Sequence, residues 1–146
     1  MTPNRLTLIP FVVCSTFLSL VVVEAKNVPL RYSRRLPPID KVELQQLKAH
    51  EMRIESVEAT RVIEGRDARL IATLWRTQRY RSFSADCHYP AYGIKFYAQG
   101  KLVLYATLCW QCENIAFIEP RSGTQGFDGT SSKGKALLEL FEKSFR

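Results

Sequence analysis

Apolar positions along this chain change period several times, and each change predicts an element. Leu6 to Val23 is predominantly apolar. Further on, Asp40 with Glu43 three residues later forms a capping-box pattern, and Ile39 and Leu44 occupy the flanking staple positions. That pattern predicts a helix over about residues 40–51, with Leu44, Leu47 and Val42 toward a core. From Arg53 the period becomes two: Val57, Ala59, Arg61 and Ile63 alternate with Glu58, Thr60 and Val62, and Gly65-Arg66-Asp67 supplies a turn. Leu70 to Tyr80 reads as a second strand, with Ile71, Thr73 and Trp75 on one face and Leu70, Ala72 and Leu74 on the other.

A hairpin is the clearest local signal. Ile94 to Tyr97 leads through Ala98-Gln99-Gly100-Lys101 into Leu102 to Leu108, two β-rich runs joined by a short glycine-containing loop. Leu102, Leu104, Ala106 and Leu108 are expected to cover the core. Ile115 to Ile118 can add a strand before Pro120, residues 121–132 read as a loop, and a last helix begins near Lys133 with Leu137, Leu140, Phe141 and Phe145 at helical spacing. The expected fold class is α+β: a four- or five-stranded antiparallel sheet with an N-terminal and a C-terminal helix, each burying one apolar stripe. Residues 39–146 would form that single domain, behind a basic, proline-containing linker over 26–38.

The N-terminal run bears on compartment. Arg5 precedes it, and Val23-Glu24-Ala25 gives a cleavage-site pattern before Lys26, so residues 1–25 are expected to be a signal peptide of an exported, periplasmic or secreted protein. Two alternatives stay open. Residues 6–23 are long enough to remain as a membrane anchor, and Lys26, Arg31, Arg34 and Arg35 oppose translocation of the downstream chain, which would leave the domain cytosolic. Cys14 belongs to the apolar run.

Composition narrows the class. The chain has 146 residues, 46% of them hydrophobic and 24% charged, which suits one globular domain. Its formal net charge is +7, and loss of Arg5 and Glu24 with residues 1–25 would leave it unchanged. Arginines cluster at Arg31, Arg34 and Arg35 and again from Arg66 to Arg81, and Arg76, Arg79 and Arg81 are the candidates for contact with an anionic surface or polymer. No nucleic-acid-binding motif accompanies them.

Chemistry concentrates between Cys87 and Cys112. Three of the four cysteines, Cys87, Cys109 and Cys112, lie there, and an odd number in an oxidising compartment leaves one thiol over. The leading reading is a structural disulfide from Cys87 to one member of the Cys109/Cys112 pair, because the hairpin brings the lead-in of one strand near the end of the other. A second reading is thiol–disulfide exchange at Cys109-Trp110-Gln111-Cys112, where an apolar strand runs into the Cys-x-x-Cys. Too little chain remains beyond it for the rest of a thioredoxin domain. A third is zinc held by Cys87, Cys109 and Cys112 with His88, although Cys87-His88 lacks the usual half-site spacing. His88 otherwise reads as a loop histidine and His50 as a helix C-terminal one.

The order Cys87-x-x-Pro90-x-x-Gly93-Ile94-x-Phe96 and then Cys109-x-x-Cys112 resembles a family of small uncharacterised bacterial proteins with a Cys-x-x-Pro-Arg-His-Gly-like start and an Ile-Cys-Phe-x-Cys-like end. This chain carries Ala91 and Tyr92 in place of Arg and His, and Trp110 in place of Phe. Any role of that histidine in relatives would be missing here, and the resemblance implies a grouping rather than an activity. No catalytic serine, zinc-protease, P-loop or dinucleotide pattern occurs. The functional expectation is therefore an exported, non-catalytic structural or binding module stabilised by a disulfide, with the thiol and zinc readings as alternatives.

Overall fold

Strand β1 (Lys41–His50) lies inside the sheet, hydrogen-bonded on one side to β2 (Arg53–Glu64) and on the other to β3 (Tyr92–Ala98). This corrects the helix expected over 40–51. The capping groups serve other partners: the Asp40 carboxylate accepts from the Gln99 amide at 2.6 Å, and Glu43 sits between Lys41 and Lys95 at 3.5 and 3.8 Å. Two ladders of backbone hydrogen bonds outweigh a local helical signal, which is only a weak preference.

The computed structural model describes residues 28–50, 53–82 and 85–146. Beyond β3 come β4 (Lys101–Cys109), β5 (Asn114–Glu119) and β6 (Gly123–Gly126). All neighbours are antiparallel, in the order β2-β1-β3-β4-β5-β6, so the fold is α+β with six strands rather than four or five. The expected signal peptide, its cleavage after Ala25 and the 6–23 anchor lie outside the described residues. Among the described residues no helix is long and apolar enough to cross a membrane.

Helix α1 (Gly65–Arg76) comes directly after β2, where a strand over 70–80 was expected. Ala68, Ile71, Ala72 and Trp75 recur at helical spacing and are the buried positions, while Leu70 is left exposed. Helix α2 (Ser132–Ser144) starts where the sequence indicates. The Ser131 hydroxyl accepts from the Gly134 amide at 3.0 Å, and a Cβ on Gly134 would run into the carbonyls of Asp128 and Gly129. Strand β6 occupies part of the expected 121–132 loop; its residues, Gly-Thr-Gln-Gly, carry no apolar pattern, and pairing with β5 alone defines it.

Both helices pack on β1 and on each other, so they share one face of the sheet. Val42, Leu44, Ile94, Phe96, Leu104, Ala106, Leu108, Ile115 and Phe117 meet Trp75, Leu137 and Phe141 there. Leu102, expected with this row, is 40% exposed, since a register shift at Phe96/Tyr97 moves it out. Residues 28–38, expected as a linker, lie against the domain: Leu30, Ser33 and Leu36 are buried, and Pro29 bridges to Arg79. The opposite sheet face carries Glu43, Gln45, Lys95, Tyr105 and Thr107, and the cysteine segment crosses one end of it.

Asp40→Ala should lower stability by about 1 kcal/mol through the β3–β4 turn, without loss of helical circular dichroism. Urea denaturation monitored at 222 nm checks this; a matching loss of helical signal in the folded baseline would contradict it.

Candidate functional site

Strands β4 and β5 are joined by a tight turn over residues 110–113, with Glu113 in the left-handed region at φ 50° and Cys109 paired across from Asn114. The turn sequence explains the geometry of its thiols. The Cys112 amide donates to Cys109 Sγ at 3.1 Å, which folds Cys112 back over the strand end. The Ala85 amide donates to the Cys112 carbonyl at 3.1 Å and brings the 85–88 segment alongside. Cys87 and Cys112 then stand as a disulfide pair with Cα atoms 5.9 Å apart. Cys109 is left as a free thiol, 1% exposed.

His88 is held more closely than a loop histidine need be. The Asn114 side-chain amide donates to the carbonyls of Ala85 and Cys87 at 3.1 and 2.6 Å. That fixes the amide orientation and turns Oδ1 toward His88 Nδ1 at 2.6 Å. Because Oδ1 can only accept, Nδ1 carries the ring proton. Nε2 is then the acceptor and takes the Thr107 hydroxyl at 2.8 Å. Burial pushes the His88 pKa below its ordinary value, and the Asn114 hydrogen bond opposes this in part. Thr107 is itself buried in β4, so the Thr107–His88–Asn114 chain ties the segment to the sheet and presents no accessible nucleophile.

Beneath this segment lies Gly93. It pairs with Gln45 on one side and Thr107 on the other, and a Cβ there would stand 2.9 Å from Gln45 Oε1.

Beside the disulfide lies an open cleft of about 670 Å³. Arg31, Tyr80, Asp86, His88, Asn114 and Gln125 are among its walls. The Arg31 amide donates to Gln125 Oε1 at 2.8 Å, closing one side, and the Arg81 amide donates to the Gly126 carbonyl at 3.2 Å, closing another. The lining is predominantly polar.

The structure thus brings Cys87 and His88 together at the cleft, with Cys112 bonded to Cys87 from the buried side and Cys109 buried beside it. The three arginine candidates are engaged within the fold. Arg76 Nη2 donates to the carbonyls of Leu36 and Pro37, both at 3.0 Å, and Arg79 Nη1 reaches the carbonyls of Arg76 and Gln78 at 3.4 and 3.3 Å. Arg81 pairs with Glu113 at 2.6 Å. Among the described residues no group of three or more His, Cys, Asp or Glu side chains is placed to hold a metal ion. Sequence reasoning did not single out Asn114 or Thr107. A polar residue opening the apolar run Asn114 to Ile118, directly after a cysteine turn, was the available signal.

The clasp has two measurable consequences. Cys87→Ser should cost about 3 kcal/mol under oxidising conditions, as expected for a bridge spanning 25 residues, and almost nothing in excess reductant. Denaturation of both proteins in both buffers measures it; equal midpoints in oxidising buffer would contradict it. For His88 the folded state resists the proton that the unfolded chain accepts near pH 6.5. Its contribution to stability is therefore fully present above pH 6.5 and falls as pH drops from there through the lower, folded-state pKa. His88→Gln should flatten the stability–pH slope below pH 6.5, and an unaltered slope would count against the network. The chain matches no protein-family model, no curated protein and no solved structure.

Proposed function

We propose that this chain is an exported, non-catalytic binding module whose ligand occupies the polar cleft beside the Cys87–Cys112 clasp. The observation that carries the reading is the engagement of the reactive groups around that cleft. Cys87 is paired, and both ring nitrogens of His88 are bonded within the protein. What is left facing the cleft is hydrogen-bonding capacity together with the charges of Arg31 and Asp86, on a braced wall without a nucleophile, which suits recognition of a polar ligand better than group transfer. Export is supported by the Leu6–Val23 run with its Val23-Glu24-Ala25 ending, and by a disulfide pairing that persists in oxidising compartments. Membership of the Cys-x-x-Pro…Cys-x-x-Cys family belongs to the same proposal.

Thiol–disulfide exchange is the second reading. In its favour, the Cys112 amide bond to Cys109 Sγ holds the Cys-x-x-Cys on one turn. Against it, Cys109 is buried and Cys112 is already paired with Cys87.

Protein recovered from an export-competent bacterial host is expected to begin at Lys26, by N-terminal sequencing. Ligand-observed NMR against sugars, amino acids and dicarboxylates should find one class that binds the wild type. Ser82→Trp, which places a large side chain at the cleft wall, should abolish that binding. If no class binds, or if binding survives Ser82→Trp, the cleft is not the ligand site. A reduction potential in the range of oxidising exchange proteins would instead favour the second reading.

A further inference from the structure

Two opposite charges stand apart on the walls of the polar cleft. Arg31 and Asp86 both line it, and among the described residues neither is ion-paired. Each charge sits on braced backbone. The Arg31 amide is held by Gln125, and its guanidinium lies against Gly123, where a Cβ would stand 2.8 Å from Nη1. Asp86 lies between Ala85 and Cys87, whose carbonyls both accept from the Asn114 side chain. Gly123 opens β6, and Asn114 pairs with Gly126 at its other end. The two charges therefore approach the cleft from opposite ends of β6, separated by about 10 Å of strand. Between them runs an edge of the sheet. β6 is an outermost strand, and its Gly126 carbonyl turns away from β5 to accept from the Arg81 amide. Alternate residues of an antiparallel strand direct their backbone groups to the same side, so the Thr124 amide and carbonyl also point outward. Thr124 lines the cleft, and among the described residues nothing bonds to either group.

We propose that the cleft binds a short peptide with free termini, about two or three residues long, extended alongside β6. Its carboxylate pairs with the Arg31 guanidinium, whose fork matches two carboxylate oxygens. Its ammonium donates to the Asp86 carboxylate. A peptide group between the termini exchanges hydrogen bonds with Thr124, which makes the ligand run antiparallel to β6. The charges and the edge together select this class. A dicarboxylate would bring its second charge against Asp86, and a sugar would use neither charge. A free amino acid carries both charges but has no peptide group to offer the edge. The inference rests on the reading of the cleft as a ligand site and names the chemistry of its ligand.

Calorimetric titration of the exported protein with trialanine tests this. Saturable binding is expected, weakened about tenfold or more by N-acetylation or by C-amidation of the peptide, since each removes one charged, hydrogen-bonded pair. Asp86→Asn should lose the distinction between trialanine and its N-acetyl form while still discriminating against the amide. Arg31→Gln should do the converse. Both residues are exposed, and circular dichroism checks that each variant is folded. Free alanine binding as tightly as trialanine would overturn the peptide in favour of an amino acid. Equal affinity for the free and blocked peptides, or unchanged ratios in both variants, would end the proposal. Ser82→Trp judges the cleft separately. A sugar or dicarboxylate that binds and is blocked by Ser82→Trp, with trialanine silent, overturns the peptide and leaves the cleft as a ligand site. Trialanine binding that survives Ser82→Trp, or no binding of any of these compounds, overturns both.

Discussion

The two-sided register of β1 is the constraint on which the rest of this structure depends. Its neighbours are paired along most of its length, so each residue is assigned to one face by its ladder position: Val42 and Leu44 to the helices, Glu43 and Gln45 to the other side. A slip by one position would turn Glu43 into the core and Leu44 out of it. The same register carries across β3 and β4 along the Gln45–Gly93–Thr107 row. Thr107 is thereby placed beneath His88, so the clasp takes part of its geometry from the register of β1.

That role also explains why the residues of β1 imitate a helix. An amphipathic strand announces itself by alternation, but Leu47 is buried on the face opposite Val42 and Leu44, against Gly93. Apolar residues on both faces break the period of two, and the spacing from Leu44 to Leu47 then has the helical period, with Asp40 and Glu43 completing the imitation. In α1 the error is reversed. Ala68, Ile71, Ala72 and Trp75 have helical spacing, yet two of the four are alanines, and the exposed Leu70 with Leu74 suggests alternation instead. The β3–β4 hairpin and α2 were legible because one rule governs each of them and each has a single buried face. The outer strand β2 was legible too, since its alternation is not disturbed by burial on both sides.

For the site, the topological argument was sound where it rested on the hairpin. Antiparallel pairing of β3 with β4 returns the chain to the neighbourhood of its lead-in, and Cys87 meets Cys112 there. What the residues could not convey was which cysteine of the pair would be taken, because that is decided by a turn in which Glu113 adopts a left-handed backbone. Nor could charge density alone separate the arginines. Arg76, Arg79 and Arg81 face carbonyls and Glu113, whereas Arg31, Arg34 and Arg35 come from the segment that reads as linker.

The burial of Cys109 bears on how the chain must mature. Three thiols admit three alternative bridges, and in an extended polypeptide the nearest neighbours, Cys109 and Cys112, would meet most often. Once the β4–β5 ladder is in place, Cys109 lies inside the domain, out of reach of external oxidants and of other molecules. Correct pairing is therefore a product of tertiary structure. Oxidation that outruns sheet assembly would strand Cys87 as an exposed thiol open to cross-linking, and oxidation after assembly leaves Cys109, the one unpaired sulfur among the described residues, shielded from exchange.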